Sequence, residues 1–255
     1  MRKLLLPLAL AACAAPAAAQ DWEFSSSAFF ESGRYGGTRR VDSLYVPLTL
    51  KRRFSNTDIS LTAPFTRQSS IGPVTRVGGR MARVAPPGPA ASRGGQSGAG
   101  DLLARGSYLV RRDAPGSFGF SLGGLLKFPT ADEKKGLGTG QLDQGAGFEF
   151  SKELNPRWTL LAEGWYTIIG DPDRVDYNNQ LDLSIGFRRP LGGGLDLKVR
   201  YETSSALLDG NADPRDLRAE LAGGAGGLRW SAALALGMSK GGPAVVLGGG
   251  CSGRF

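Results

Sequence analysis

From Tyr177 to Arg188 the apolar-leaning positions Tyr177, Asn179, Leu181, Leu183, Ile185 and Phe187 interleave with the polar set Asn178, Gln180, Asp182, Ser184, Gly186 and Arg188. Just beyond, Leu195, Leu197, Val199 and Tyr201 interleave with Asp196, Lys198, Arg200 and Glu202. A period of two puts each set on its own face of a β-strand. The same reading along the chain predicts twelve strands: Trp22 to Ser32, Ser43 to Arg53, Thr57 to Thr66, Asp101 to Arg111, Ser117 to Pro129, Gln141 to Ser151, Trp158 to Ile168, Tyr177 to Arg188, Leu195 to Ser204, Asp216 to Gly223, Leu228 to Met238 and Ala244 to Phe255.

The connections alternate too. Those after the second, fourth, sixth, eighth and tenth strands are tight and carry turn residues: Ser55-Asn56, Asp113 to Gly116, Asn155-Pro156, Pro190 to Gly194 and Gly224 to Gly227. Those after odd strands are mostly longer, up to the stretch from Arg67 to Gly100. Short turns at one end and long loops at the other characterise outer-membrane β-barrels. Aromatic residues at strand ends (Trp22, Tyr108, Phe128, Trp158, Tyr177, Tyr201, Trp230, Phe255) match the girdles of such barrels. A soluble sandwich explains one or two amphipathic strands equally well, but not this combination. The expected fold is therefore all-β, a transmembrane antiparallel barrel of about twelve strands, with both termini on the short-turn, periplasmic side. Val245, Leu247, Gly249, Cys251, Gly253 and Phe255 share one face, and a terminal aromatic there resembles the sorting signal read by the barrel assembly machinery.

The N-terminus sets the compartment. Arg2 and Lys3 precede an apolar run from Leu4 to Ala15 that closes on Ala17, Ala18 and Ala19, so residues 1–19 read as a secretory signal peptide and the barrel as residues 20–255. Leu10-Ala11-Ala12-Cys13 fits the competing cut of a lipoprotein. The run falls short of the roughly 20 apolar residues of a membrane helix. After the cut at Gln20 one cysteine remains, Cys251, which excludes an intramolecular disulfide. An apolar content of 41% suits strands of which half the positions face lipid. The net charge of +8, falling to +6 without Arg2 and Lys3, would suggest nucleic acid in a cytoplasmic chain. In an exported one, outer-membrane lipid and lipopolysaccharide phosphates are the expected anionic partners, and nucleic acid is not. The localisation expected is the outer membrane of a Gram-negative bacterium.

The segments Ser97 to Val110 (SGAGDLLARGSYLV) and Leu125 to Leu154 (LLKFPTADEKKGLGTGQLDQGAGFEFSKEL) resemble the outer-membrane family linked to the meta-cleavage pathway of phenol degradation. The resembling features are the Gly100-Asp101 strand entry, Lys127-Phe128-Pro129-Thr130 at a strand end, and Gly138-Thr139-Gly140 followed by Asp143. The resemblance implies a barrel that passes small molecules as a channel or transporter, with aromatic or hydrophobic compounds among the candidates. The loop from Arg67 to Ala99 is longer and richer in arginine than the family pattern.

The chain has no histidine, which removes Ser-His-Asp and Cys-His catalysis and the commonest metal ligand. Asp143, Glu149 and Glu163 fall on inward parities of adjacent strands, where acid-base chemistry competes with a plain solvated wall. No enzyme activity, cofactor or metal is expected. Gly136, Gly138 and Gly140 precede a strand and not a helix, so they read as a turn and not a phosphate loop. The inward parity collects Glu23, Glu31, Asp58, Asp143, Glu149, Glu163, Asp182, Asp196, Glu202 and Glu220 against Lys51, Arg105, Arg111, Lys127, Arg188, Lys198, Arg200, Arg218 and Arg229. The expected pore lining is Asp143, Glu149, Glu163, Asp182, Arg188, Lys198, Arg200, Glu202, Arg218 and Arg229, a near-neutral wall implying weak ion selectivity or occlusion. Arg67, Arg76, Arg80, Arg83 and Arg93 lie in the long loop with no acid among them. Contact with lipopolysaccharide is their favoured reading and an anion-attracting constriction in the lumen the alternative. A passive channel is the expected function; the alternative is a non-conducting barrel that binds lipopolysaccharide or a partner.

Overall fold

The computed structural model describes residues 21–71, 74–77, 80–84, 92–114, 116–172 and 175–255; the expected export signal, residues 1–19, lies outside them. The strands are β1 (Trp22–Gly33), β2 (Val41–Arg53), β3 (Thr57–Ile71), β4 (Val74–Val77), β5 (Arg80–Arg83), β6 (Ser92–Ala99), β7 (Leu102–Arg111), β8 (Gly119–Phe128), β9 (Asp143–Asn155), β10 (Trp158–Ile168), β11 (Gln180–Gly192), β12 (Leu195–Ser204), β13 (Arg215–Ala225), β14 (Leu228–Gly237) and β15 (Val245–Arg254). Each wall strand pairs antiparallel with its neighbour, and β1 closes the circle against both β2 and β15. Outside the circle's last ladder rung, Trp22 and Phe255 exchange backbone hydrogen bonds of 3.3 and 3.0 Å, extending the seam to the last residue.

The wall has twelve strands because β6 and β7 are two halves of one. β6 pairs with the upper part of β3 (Phe65↔Ala99) and β7 with its lower part (Thr62↔Leu103). The break sits where Pro64 turns its hydrogen-bonding side to this strand. Its carbonyl accepts from the Gly100 N–H at 2.8 Å, but proline has no N–H to return. Pro47, directly opposite Pro64, leaves a matching gap on its other side, where the β1–β2 register skips from Ser26↔Leu48 to Phe29↔Tyr45.

The tight turns confirm the alternation of loop lengths. Gly193-Gly194 and Gly226-Gly227 each hold two consecutive positive φ angles (60° and 78°, 60° and 85°), the backbone a two-residue hairpin turn needs and one side chains resist. The outer face is apolar and unburied by protein: Ile59, Leu61, Leu122, Leu183, Ile185, Phe187 and Leu247 are among many large exposed hydrophobics. In water such a surface would drive aggregation, whereas in lipid it is the expected face. At the short-turn end Arg52 lies over Trp22 and Phe54, Arg189 lies over Trp158, and Trp158 packs edge-on against Phe187, which builds one girdle.

Two sequence expectations are corrected. A β-bulge between Leu109 and Arg111 pairs Arg111 with Phe120, moving it to the outer face over the Phe118 ring at 4.5 Å; an extra residue in one strand reverses the faces beyond it. Tyr177 precedes β11 and packs against Val77, Ala82, Ile169 and Leu207 beneath the loops, so it belongs to no girdle.

Candidate functional site

The long stretch after β3 is mostly structured. Arg67 to Ile71 prolong β3, Ser92–Ala99 is β6, and between them β4 and β5 form a hairpin that enters the lumen at its long-loop end. Val74 and Met81 pack with Tyr35 and Val41 on one side; Val77 and Ala82 pack with Ile169 and Leu207 on the other. Polar contacts fix it as well. Arg76 reaches Glu31 at 2.5 Å and Ser43 at 3.3 Å and lies 3.9 Å from the Tyr45 ring centroid. Thr75 donates to the Gly136 carbonyl at 2.7 Å, and Arg83 donates to the Tyr35 carbonyl at 3.3 Å. Burial, with Glu31 nearby, holds the Tyr35 hydroxyl far above the ordinary phenol range, so it stays neutral. Arg76 and Arg83 are therefore inside the barrel and not on a lipopolysaccharide-facing surface. Arg67 is exposed on the outer parity of β3, and the Arg80 and Arg93 side chains lie outside the described set.

A second buried cluster holds the loop that supplies Gly136. Lys127, 1% exposed, sits 2.8 Å from Asp143 and 3.6 Å from Asp101, and donates to Thr139 Oγ1 at 2.6 Å. Asp101 accepts from the Ala131 N–H and Asp143 from the Gly170 N–H. Gly138 lies so close to Asp101 that a Cβ there would fall 2.6 Å from its carboxylate. Asp143, fully buried here, is thus a loop anchor and not an open part of the pore lining. These are the residues of the Gly100-Asp101, Lys127 to Thr130 and Gly138 to Asp143 segments, brought together from three stretches of chain.

Below the hairpin Trp165 stands on the lumen wall beside a cavity. Its ring lies on the wall against Gly147 and Gly123, which face each other across β8 and β9; a Cβ at either would come within 2.6 Å of the indole. Leu103 and Leu125 flank it, Arg105 stacks 5.0 Å from its centroid, and its Nε1–H donates to Glu163 at 2.7 Å. Arg200 lies 3.8 Å from Glu163 and 3.3 Å from Glu202, whose other oxygen takes Arg218 at 3.2 Å. A cavity of about 250 Å³ is lined here by Val77, Arg105, Trp165, Asp182, Glu202 and Arg218. A larger one of about 490 Å³ toward the short-turn end is lined by Glu149, Arg188 and Lys198 among others. Glu163, Ser184 and Arg200 belong to both.

All ten expected lining residues have inward parity. Nine border cavities: Arg229 joins Lys198 and Glu220 along a third, of about 320 Å³, and Asp143 is the exception. What sequence reasoning missed is Trp165, the Glu31–Arg76 pair and the Lys127 cluster. Trp165 shares its parity with Glu163, and that signal alone would have turned it inward. Among the described residues no group of three or more acidic, cysteine or histidine side chains could hold a metal, and no helix is long and apolar enough to cross a membrane.

A closed twelve-strand antiparallel barrel with an apolar exterior and an ion-paired interior is the architecture of an outer-membrane β-barrel. The chain belongs to the family described as "Putative MetA-pathway of phenol degradation", whose model matches residues 22–239. Among solved structures it is similar to the COG4313 outer membrane channel from Pseudomonas putida F1, with a TM-score of 0.72 at 14% identity over 94% of this chain and 97% of that one. The NanC porin (TM-score 0.57, 9% identity, 91% of this chain and all of that one) and the KdgM porin (0.56, 7%, 91% and 99%) share the barrel. No curated protein sequence matches the chain.

Proposed function

We propose that this protein is a passive outer-membrane channel that admits small solutes through its lumen. The observation that carries the reading is the interior itself: charged and hydrogen-bonding side chains surround cavities of about 250 and 490 Å³ that share Glu163, Ser184 and Arg200. A barrel whose own side chains filled its interior would leave no connected spaces of this size. The β4–β5 hairpin stands across the long-loop end as the constriction. Membership of a phenol-degradation family and the likeness to a channel and two porins support the same reading, with small aromatic compounds as candidate cargo.

The test is single-channel recording of refolded protein in planar bilayers, paired with solute entry into proteoliposomes. The expected result is a small conductance of weak ion preference that rises when residues 74–83 are replaced by a Gly-Ser linker. Folded protein that conducts neither with nor without the hairpin overturns the reading and leaves a structural barrel. The same reading takes residues 1–19 as a cleaved export signal, so the mature N-terminus should be Gln20; an acylated Cys13 would replace it with the lipoprotein cut. Among the loop-segment arginines whose side chains are described, Arg67, exposed on the outer face, is the candidate for contact with a lipopolysaccharide phosphate. Phe255 is the residue offered to the assembly machinery.

A further inference from the structure

Two charges of opposite sign stand on one cavity of the lumen without a direct partner. Glu149 and Arg188 line the same cavity of about 490 Å³, and neither forms a hydrogen bond or ion pair among the described residues. Each also faces a like charge across its own ladder, Glu149 opposite Glu163 and Arg188 opposite Lys198. Directly opposed like charges destabilise a sheet, and the partners in these pairs are already engaged: Lys198 by Glu220 at 3.1 Å, Glu163 by Trp165 and Arg200. Lys51 and Arg105 act on Glu149 only at longer range. Within this cavity Glu149, beside the engaged Glu163, is therefore the negative end, and Arg188, beside the engaged Lys198, is the positive end.

Ladder geometry sets the separation. Glu149, Glu163 and Ser184 lie on one rung across β9, β10 and β11, and Arg188 lies four residues along β11 from Ser184. Two strand spacings and four residue rises put the Cα atoms of Glu149 and Arg188 roughly 16 Å apart. A glutamate and an arginine reaching toward each other leave a gap of several ångströms.

We propose that this gap is a subsite for small zwitterionic solutes, the carboxylate taken by the Arg188 fork beside Lys198 and the ammonium by Glu149 beside Glu163. The proposal rests on the channel reading and names a substrate class for it. A lone anion would meet Arg188 but face the two glutamates, and a lone cation would face Arg188, Lys198 and Arg200. A zwitterion answers both ends, and guanidinium pairs with carboxylate in planar two-point geometry.

The experiment compares entry of phenylalanine, 3-phenylpropanoate and 2-phenylethylamine into proteoliposomes carrying the full-length barrel, with glucose and KCl as reference permeants. The zwitterion should half-saturate at a concentration about tenfold lower than either singly charged analogue, the worth of one charge-assisted hydrogen bond. Glu149→Gln and Arg188→Gln should each erase that preference while KCl conductance persists. The double reversal Glu149→Arg with Arg188→Glu should restore it, because the solute can bind turned end for end. Equal entry of all three solutes through a pore that passes glucose and KCl overturns the subsite and spares the channel. If neither reference permeates, the channel reading fails, and calorimetric titration of phenylalanine into the detergent-solubilised barrel still decides the subsite: saturable binding lost in Glu149→Gln sustains it, and no binding overturns it.

Discussion

Replacing Arg76 by Met should make the channel leak without unfolding it. Arg76 and Glu31 are a buried pair, with side chains 7% and 12% exposed, and the substitution keeps the apolar stem while leaving Glu31 without its guanidinium. Breaking such a pair from one side costs about 3–5 kcal/mol, most of it the uncompensated charge left behind. The loss falls on the docking of the β4–β5 hairpin and not on the barrel, whose ladders Arg76 does not join. What remains of the docking is substantial. Val74, Val77 and Met81 are buried, each worth roughly 1.5–3 kcal/mol, and the Thr75 and Arg83 hydrogen bonds persist. The hairpin should therefore stay mostly in place, with its undocked population raised roughly 10²- to 4 × 10³-fold at 1.4 kcal/mol per decade. In single-channel records this means an unchanged base level with far more frequent excursions to a larger conductance. The double variant Arg76→Met with Glu31→Gln should be quieter than Arg76→Met alone, since no buried charge is stranded. Traces of Arg76→Met identical to wild type, or a double variant noisier than the single, would refute the hairpin as a constriction latched by this pair.

Lys127→Met should cost about 3–5 kcal/mol of barrel stability, because Asp143 and Asp101 would stay buried beside a missing ammonium; urea unfolding in lipid vesicles measures it, and a loss under about 1 kcal/mol would contradict the anchoring role. Gly147→Ala should lower the yield of folded barrel sharply, its Cβ falling 2.4 Å from Trp165 and 2.5 Å from the Gly164 carbonyl, whereas Gly124→Ala, 3.9 Å from its nearest neighbour, should fold like wild type. Deleting Phe255 removes the final seam bonds to Trp22 and the terminal aromatic together, so heat-modifiable protein in outer-membrane fractions should fall far below that of Cys251→Ser, whose outward thiol substitution should leave it unchanged.

How much of this was legible in the sequence follows from range. The wall strands are local patterns: a period of two over ten residues marks β11 and β12 whatever the rest of the chain does, and Gly193-Gly194 marks the turn between them, as Gly226-Gly227 does between β13 and β14. Parity then put nine of the ten expected lining residues beside cavities. It failed where one residue breaks the count: the bulge before Arg111 carries no glycine or proline to announce it. The hairpin was hidden for a different reason. Four-residue strands such as Val74–Val77 and Arg80–Arg83 are too short to display a period, and what turns Arg76 inward is Glu31, forty-five residues earlier in the chain. Arginines without local acids read as surface only while the acid from elsewhere is out of view.

The motif residues of the buried anchor and the charged residues that line the cavity below it are different sets. Asp101, Lys127, Thr139 and Asp143 come from the short family-like segments, and all of them are spent on one buried cluster that holds the loop from Pro129 to Leu142 against the wall. That loop presents the Gly136 carbonyl, which takes hydrogen bonds from Gln68 in β3 and from Thr75 in the hairpin. The cluster therefore acts on the lumen at one remove, by setting where the constriction can dock. Glu149, Glu163, Arg188, Lys198 and Arg200 line the cavity below it and take no part in the anchor. A barrel divided in this way can exchange its lining charges without disturbing the cluster that positions its hairpin. On the proposed channel reading, the anchor accounts for where the hairpin docks, while the preference for a solute rests on the charges of β9 to β12.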